Sequence, residues 1–447
     1  MTNFIDAVNQ FVWGVPALVM ILGVGVLITV RTGFAQVRLF PKACREFFSL
    51  LWDRKSEKEG VSSFQAFCTA LGATVGTGNL VGVAGSICIG GPGSIFWMWV
   101  CAFVGMATKF AEVALAVRYR NCENGICSGG PMQIMEKGLH SPGTARLYAV
   151  FGLLAAYGVG NATQINAVVT SINAATGMES FQGNLLMGIL LAFLTGLMLL
   201  GGANRIGTVA ERLVPLASAA YILLCLGVLV IRHTSILPAL SAILRGAFSP
   251  SAVTGGVVGS VWMVLRTGCA RGVFTNEAGM GTASIAHAAA NVDHPVKQGL
   301  MGIMEVFLDT IVICTLTALV ILCSGVPIPY GVDTGSKLTS DAFCAVYGGW
   351  AGRFLVMALC CFAFATILGW GFYGGKCAEF LFGKTAWKWF AVSQTMMVVL
   401  ASVMQTGVIW SAAEAFNGLM AIPNLITLAA LSSKVRRLMI DYKKSGL

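Results

Sequence analysis

Apolar windows of about twenty residues, separated by short polar connections, recur along almost the whole chain. A bilayer offers no water to a free backbone N–H or C=O, so segments of this kind cross it only as helices packed against one another. Composition agrees, since 56% of the 447 residues are hydrophobic, 11% are charged and the mean hydropathy is +0.79. The chain reads as an all-α integral membrane protein. Its first apolar stretch, Phe11 to Val30, has no Lys or Arg before it and no small-residue cleavage pattern after it. It is expected to stay as a span and not to act as a signal peptide.

The windows predict about eleven transmembrane helices: a leading span near 11–31, then ten near 64–90, 93–117, 147–173, 185–201, 211–231, 255–280, 298–324, 352–380, 387–405 and 408–432. An odd number puts the termini on opposite sides. With the N-terminus outside, 22 of the 29 Lys and Arg fall in cytoplasmic connections and four in outer ones, a strong positive-inside bias. The expected location is a plasma membrane of the bacterial inner-membrane type, with the C-terminus cytoplasmic. The basic excess forms no compact patch with interleaved aromatics, so nucleic acid is not an expected partner. Membrane lipid is, and no obligate protein partner is evident. Most of the 14 cysteines lie inside spans; Cys122 and Cys127 share a short loop, and neither a disulfide nor a zinc site is expected there.

Two glycine-dense strings interrupt the apolar pattern, GATVGTGN at 72–79 and RTGCARGVFTNEAGMGT at 266–282. A membrane helix is broken only where it lines a cavity, and breaks at matching positions in two halves of a chain point to a transporter's binding site. Without the leading span, ten spans divide into five plus five of opposite orientation, which is an inverted repeat. The two interrupted segments are then the first helices of the two sets. The expected organisation is 1–62 for the leading span and its connection, 63–232 and 250–432 for the two five-helix repeats, and 433–447 for a basic tail.

In the first string, Gly72, Gly76 and Gly78 let the backbone leave helical dihedrals, exposing carbonyls to a hard cation and the amides of a new half-helix to an anion. Thr77 and Asn79 add side-chain oxygens. Small residues at four-residue spacing also serve plain helix packing. In the second string, Thr267 to Gly272 reads as unwound, with Gly268 as a substrate contact and Arg271 and Glu277 as gate or scaffold charges. The structural alternative pairs Glu277 with a nearby Arg. Glu305 and Asp309, four apart on one helix, suggest a proton relay, but no nearby His supports one. His287, Asp293 and His294 resemble a metal cluster only loosely.

The strings GTGNLVGVAGSICIGGPGSIFWMWV, TNEAGMGTASIAHAAANVDHPVKQG and DTIVICTLTALVILCSG, with GGPM at 129–132 and GNATQINA at 160–167, closely resemble the alanine/glycine:cation symporter family over nearly the whole chain. One departure is Gln133, which follows GGPM where the family more often has tyrosine. The resemblance implies a fold of the leucine-transporter (LeuT) type and sodium-coupled uptake of alanine or glycine, with D-alanine among the candidates. It implies that the amides of Thr77 and Gly78 hold the substrate carboxylate, that Asn79 lies beside substrate or cation, and that Gln164 is a polar substrate contact. It also places sodium, the coupling ion, against the carbonyls of Gly72 and Val75 and the Thr366 hydroxyl. Trp370, one turn after Thr366, would narrow the same cavity to a small side chain. No other cofactor and no enzymatic activity is expected. The competing readings are a proton-coupled transporter, which needs a titratable group at the site, and a channel or receptor, which should show a continuous polar stripe or rings of charge.

Overall fold

The computed structural model describes residues 8–9, 11–52, 60–123, 126–177, 179–404 and 407–445. Arg54, Lys55 and Lys58 of the basic connection lie outside them. Helices occupy every predicted window. In chain order they are α1 (Val15–Arg31), the amphipathic α2 (Phe40–Trp52), α3 (Ser63–Thr74), α4 (Val83–Gly90), α5 (Ser94–Tyr119), α6 (Pro142–Tyr157), α7 (Thr163–Thr176) and α8 (Phe181–Leu199). There follow α9 (Gly202–Ile231), α10 (Val261–Asn276), α11 (Thr282–Ala288), α12 (Pro295–Val306), α13 (Thr315–Cys323), α14 (Trp350–Phe382), α15 (Ala386–Val403) and α16 (Gly407–Lys444).

Among the described residues, six helical stretches are long and apolar enough to cross a bilayer unaided, and a seventh if α3 and α4 count as one span bent by 46°. The leading helix Val15–Arg31 falls short of that measure by its length of 17 residues. Wider π-helical turns join α6 to α7 (Gly158–Ala162) and α12 to α13 (Phe307–Cys314). Such turns leave backbone groups imperfectly paired and are common at functional sites. Helices α5, α14 and the inner parts of α12–α13 are mostly buried, whereas α8 and α9 present Leu186, Phe193, Leu216 and Leu223 outward, as lipid-facing helices must.

Two expectations are corrected here. Residues 266–272 are not unwound: α10 runs unbroken from Val261 to Asn276, and the interruption falls later, at Glu277–Gly281. Cys122 and Cys127 are disulfide-bonded, because a small hairpin (β1, Asn121–Glu123; β2, Ile126–Ser128) sets them directly opposite with Cα atoms 4.1 Å apart. The intervening Asn124-Gly125 pair is a strong hairpin signal that a count of cysteines overlooks.

Candidate functional site

Helix α3 starts with a full capping box, in which Ser62 Oγ accepts from Gln65 N–H and Gln65 Oε1 accepts from Ser62 N–H. It ends at Thr74. Val75 is extended (ψ 96°), and the Asn79 side chain bends back so that its Oδ1 accepts from Gly76 N–H at 2.9 Å. A Cβ on Gly76 would lie 2.6 Å from Thr366 Oγ1, and one on Gly78 would lie 2.8 Å from Thr275 Cγ2, so both positions require glycine for space. The half-helix that restarts at Thr77 and Gly78 has the orphan N–H donors of any helix start. Thr77 Oγ1 is buried without a partner.

Gln164 and Thr366 meet this break. Thr366 Oγ1 on α14 donates to the Gly72 carbonyl at 3.0 Å. Gln164 on α7 donates through Nε2 to Val159 O at 3.1 Å, while its Oε1 is buried, unpartnered and 3.5 Å from where a Gly76 Cβ would stand. Hydroxyl and carbonyl oxygens at Gly72, Val75 and Thr366 are the donor type a hard cation takes. Asn79 is otherwise committed: its Nδ2 donates to Asp309 Oδ1 (2.7 Å) and Asp309 O (3.2 Å) in the π turn after α12. From there Thr310 Oγ1 donates to Asp309 Oδ2, and Asn276 Nδ2 donates to Thr310 Oγ1. Asn276 Oδ1 then accepts from Ala278 N–H in the second interruption, so one side-chain chain ties both together.

Every backbone N–H of the second interruption has an acceptor, although Glu112 Oε2 and Asn424 Oδ1 beside it are buried without partners. Glu277 (φ 54°), Gly279 (φ 97°) and Gly281 (φ 82°) are left-handed, and only the first of these bears a side chain that resists it. Glu277 N–H bonds Val273 O, Met280 N–H bonds Glu277 O, and the N–H groups of Gly279 and Gly281 both donate to Glu112 Oε1 on α5, at 2.9 and 3.1 Å. Asn424 on α16 donates to the same oxygen, and Tyr148 to the Met280 carbonyl. Glu277 itself accepts from Trp370 Nε1 (2.9 Å) and Thr282 Oγ1 (2.5 Å); among the described residues no arginine pairs with it. The indole of Trp370 therefore clamps α14 to this turn, with its Cβ seated where Gly160 leaves room. Gly268 lies elsewhere: it packs on the Ser94 carbonyl of α5, 2.2 Å from an added Cβ, which is a helix-crossing contact.

Beyond Thr77 and Gly78 opens a cavity of about 260 Å³, bounded also by Arg271, Phe274, Asp333 and Glu414. Arg271 Nη2 is 3.8 Å from Asp333 and its Nη1 is 3.8 Å from Glu414, all three half-buried or partly exposed. Pairs this wet contribute at most about 1 kcal/mol, so they can open. Arg266 is exposed on the same side, lining a wider opening with Trp262 and Met263. A separate buried chain runs from Ser63 to Gln298, to His287 Nδ1, from His287 Nε2 to Glu305 (2.9 Å) and on to Lys109 (3.3 Å). A histidine therefore does stand beside Glu305. Asp293 is exposed and pairs with Lys297, and His294 caps α12; among the described residues no three such groups could hold a metal.

The sequence profile of the sodium:alanine symporter family matches residues 1–446. The chain belongs to that family. It is 42% identical over 440 residues to the sodium/alanine symporter AgcS of Methanococcus maripaludis, covering 97% of this chain and 95% of that one. It is 34% identical to the putative sodium/proton-dependent alanine carrier YrbD and 35% identical to the probable sodium/glutamine symporter GlnT, both of Bacillus subtilis. These alignments cover 100% of this chain and 94% and 92% of those proteins. Among solved structures, MhsT in complex with L-phenylalanine superposes with a TM-score of 0.57 at 15% identity, over 86% of this chain and 98% of that one. The fold is of the LeuT type, with broken first helices in two inverted sets, and the family consists of transporters and not enzymes.

In this symporter-family chain, sequence reasoning missed Glu112, Asn424, Asp333 and Glu414. Glu112 had a signal, because an acid three residues after Lys109 inside an apolar span is costly and must be paired. Glu414 carried the same signal, an acid inside the predicted span 408–432, but its pairing did not: Asp333 and Glu414 lie 62 and 143 residues beyond Arg271, and no local pattern links them.

Proposed function

We propose that this protein is a sodium-coupled symporter of a small neutral amino acid, alanine or glycine with D-alanine as a further candidate, working by alternating access in a plasma membrane. The observation that carries the reading is the first interruption, where Thr77 Oγ1 and Gln164 Oε1 are buried without partners beside the Thr366–Gly72 contact. Buried polar groups are almost always paired, and these two orphans stand beside a broken backbone turn, whereas the orphan oxygens Glu112 Oε2 and Asn424 Oδ1 stand beside a turn whose N–H groups are all bonded. In this reading the amides of Thr77 and Gly78 take the carboxylate, Gln164 Oε1 takes the ammonium, and sodium takes the carbonyls of Gly72 and Val75 with the Thr366 hydroxyl. A cation there screens the carboxylate and so couples the two fluxes. The Gly160–Trp370 contact limits room for the substrate side chain, and Asn79 shapes the turn.

The same proposal puts the N-terminus outside, the two five-helix repeats at 63–232 and 250–432, and the Arg271–Asp333–Glu414 cluster over the outer path to the site. Uptake of labelled alanine into proteoliposomes tests it. Uptake should rise with an imposed sodium gradient at fixed pH and be competed by glycine and D-alanine but not by leucine or phenylalanine. Equal uptake in choline would sink the sodium assignment. Proton coupling is the second reading, favoured by the His287–Glu305–Lys109 chain; it requires uptake driven by a pH gradient without sodium.

A further inference from the structure

At one end of the leading helix, the segment 31–42 and the C-terminal part of α16 enclose a pocket of about 790 Å³. Arg31, Arg38, Lys42, Arg436 and Lys443 line it, and among the described residues no acidic side chain does. Arg38 reaches back to the Gly33 carbonyl and Lys42 lies over the Tyr442 ring at 4.4 Å. Among the described residues no carboxylate forms an ion pair with Arg31, Arg38, Arg436 or Lys443. So many like charges gathered in one concavity repel one another unless an anion joins them.

The same segment borders a second hollow, of about 610 Å³, that is almost wholly apolar. Val37, Phe40, Trp99, Phe103, Phe307 and Ile311 line it. Gln36 is its polar exception. This side chain is 2% exposed; its Nε2 is given to Thr29 Oγ1 and Phe103 O, while Oε1 is buried without a partner. Between the hollows α2 begins, an amphipathic helix with Phe48 and Trp52 exposed, as expected of one lying in a membrane interface. A cationic pocket beside an apolar groove, at the end of a span and next to an amphipathic helix, matches a molecule with an anionic head and an apolar tail.

We propose that this corner binds an anionic glycerophospholipid, its phosphate among Arg31, Arg38, Arg436 and Lys443 and an acyl chain in the groove at Phe40, Trp99 and Phe307. A headgroup or glycerol hydroxyl would satisfy Gln36 Oε1. The groove ends on Phe307 and Ile311, which flank Asp309, the acceptor of Asn79. A lipid seated there packs against the π turn that holds both interruptions together.

The test uses full-length protein stripped of lipid in neutral detergent, with native mass spectrometry to count retained lipid. Phosphatidylglycerol and phosphatidylcholine of identical chains compete at equal concentration, with inorganic phosphate as a third arm. One tightly retained phosphatidylglycerol is expected, phosphatidylcholine displaced, and no effect of phosphate at equal concentration. Arg436→Gln with Lys443→Gln should weaken retention by about fivefold per charge removed. Val100→Trp, which fills the groove and leaves the charges, should weaken it for long chains more than for eight-carbon chains. Equal retention of the two lipids, displacement by inorganic phosphate alone, or unchanged binding in both variants would each overturn the proposal.

Discussion

The two interruptions in the membrane helices are built on opposite principles. At Glu277–Gly281 every backbone N–H has an acceptor, two of them the single carboxylate oxygen of Glu112, and the one side chain forced into a left-handed conformation is held by Trp370 and Thr282. At Val75–Gly78 the N–H groups of Val75 and Gly76 are closed, by the Leu71 carbonyl and Asn79 Oδ1, and buried oxygens of Thr77 and Gln164 are left unpaired. The backbone of one break is closed by protein groups, and the other is the break to which the proposed function assigns substrate and sodium. In a bilayer this contrast is informative, because a backbone N–H left open there must be met by another protein group or by what enters the cavity it lines.

The largest expected effect is on the finished break. Glu112→Ala strips an acceptor from two backbone amides and from Asn424, and leaves Lys109 with one fewer acidic neighbour. It should destabilise the protein by roughly 3 kcal/mol or more. Loss of the monodisperse peak in size-exclusion chromatography after mild heating measures it; a variant as heat-stable as the parent would show the break is held by something else. Trp370→Phe comes next. It leaves a buried Glu277 oxygen without its donor at a cost of about 1.5–3 kcal/mol, and it should lower both stability and uptake, whereas a pure pocket residue would lower uptake alone.

At the unfinished break the order reverses, with function failing before stability. Gly76→Ala puts a methyl 2.6 Å from the Thr366 hydroxyl; crowding of this sort costs about 1–3 kcal/mol, so the thermal midpoint should fall by a few degrees at most while uptake falls roughly tenfold or more. Thr366→Ala should raise the sodium concentration for half-maximal uptake about tenfold, as loss of one oxygen ligand worth about 1.4 kcal/mol would, with Thr366→Ser restoring it. Unchanged sodium dependence would remove Thr366 from the ion site. The smallest effect belongs to Arg271→Gln, whose two long, partly wet ion pairs are worth under about 1 kcal/mol together. The expected outcome is uptake less sensitive to added salt, with little change in stability.

The first break was legible in the sequence almost to the residue, because Gly72, Gly76 and Gly78 fall inside a run that is otherwise apolar on every side. The second was misplaced by about ten residues. Glycines at 268 and 272 read as an unwound stretch, yet they lie inside α10 and serve close packing on α5 through Ser94 and Met98. Glycine marks both close approach and broken helix, and periodicity does not separate the two. The partners of Arg271 and Glu277 were equally hidden, since Asp333, Glu414 and Trp370 reach them from distant segments.

Length, hydropathy and the spacing of glycines were enough to define a helical membrane protein, its charge bias and one broken helix. Those properties follow from the bilayer as solvent, which acts on each segment separately. Which break would be closed and which left open required the packed fold. A buried N–H is satisfied by whichever acceptor the folded chain brings within about 3 Å, and Glu112, Asn424 and Asp309 come to those positions from helices far apart in sequence.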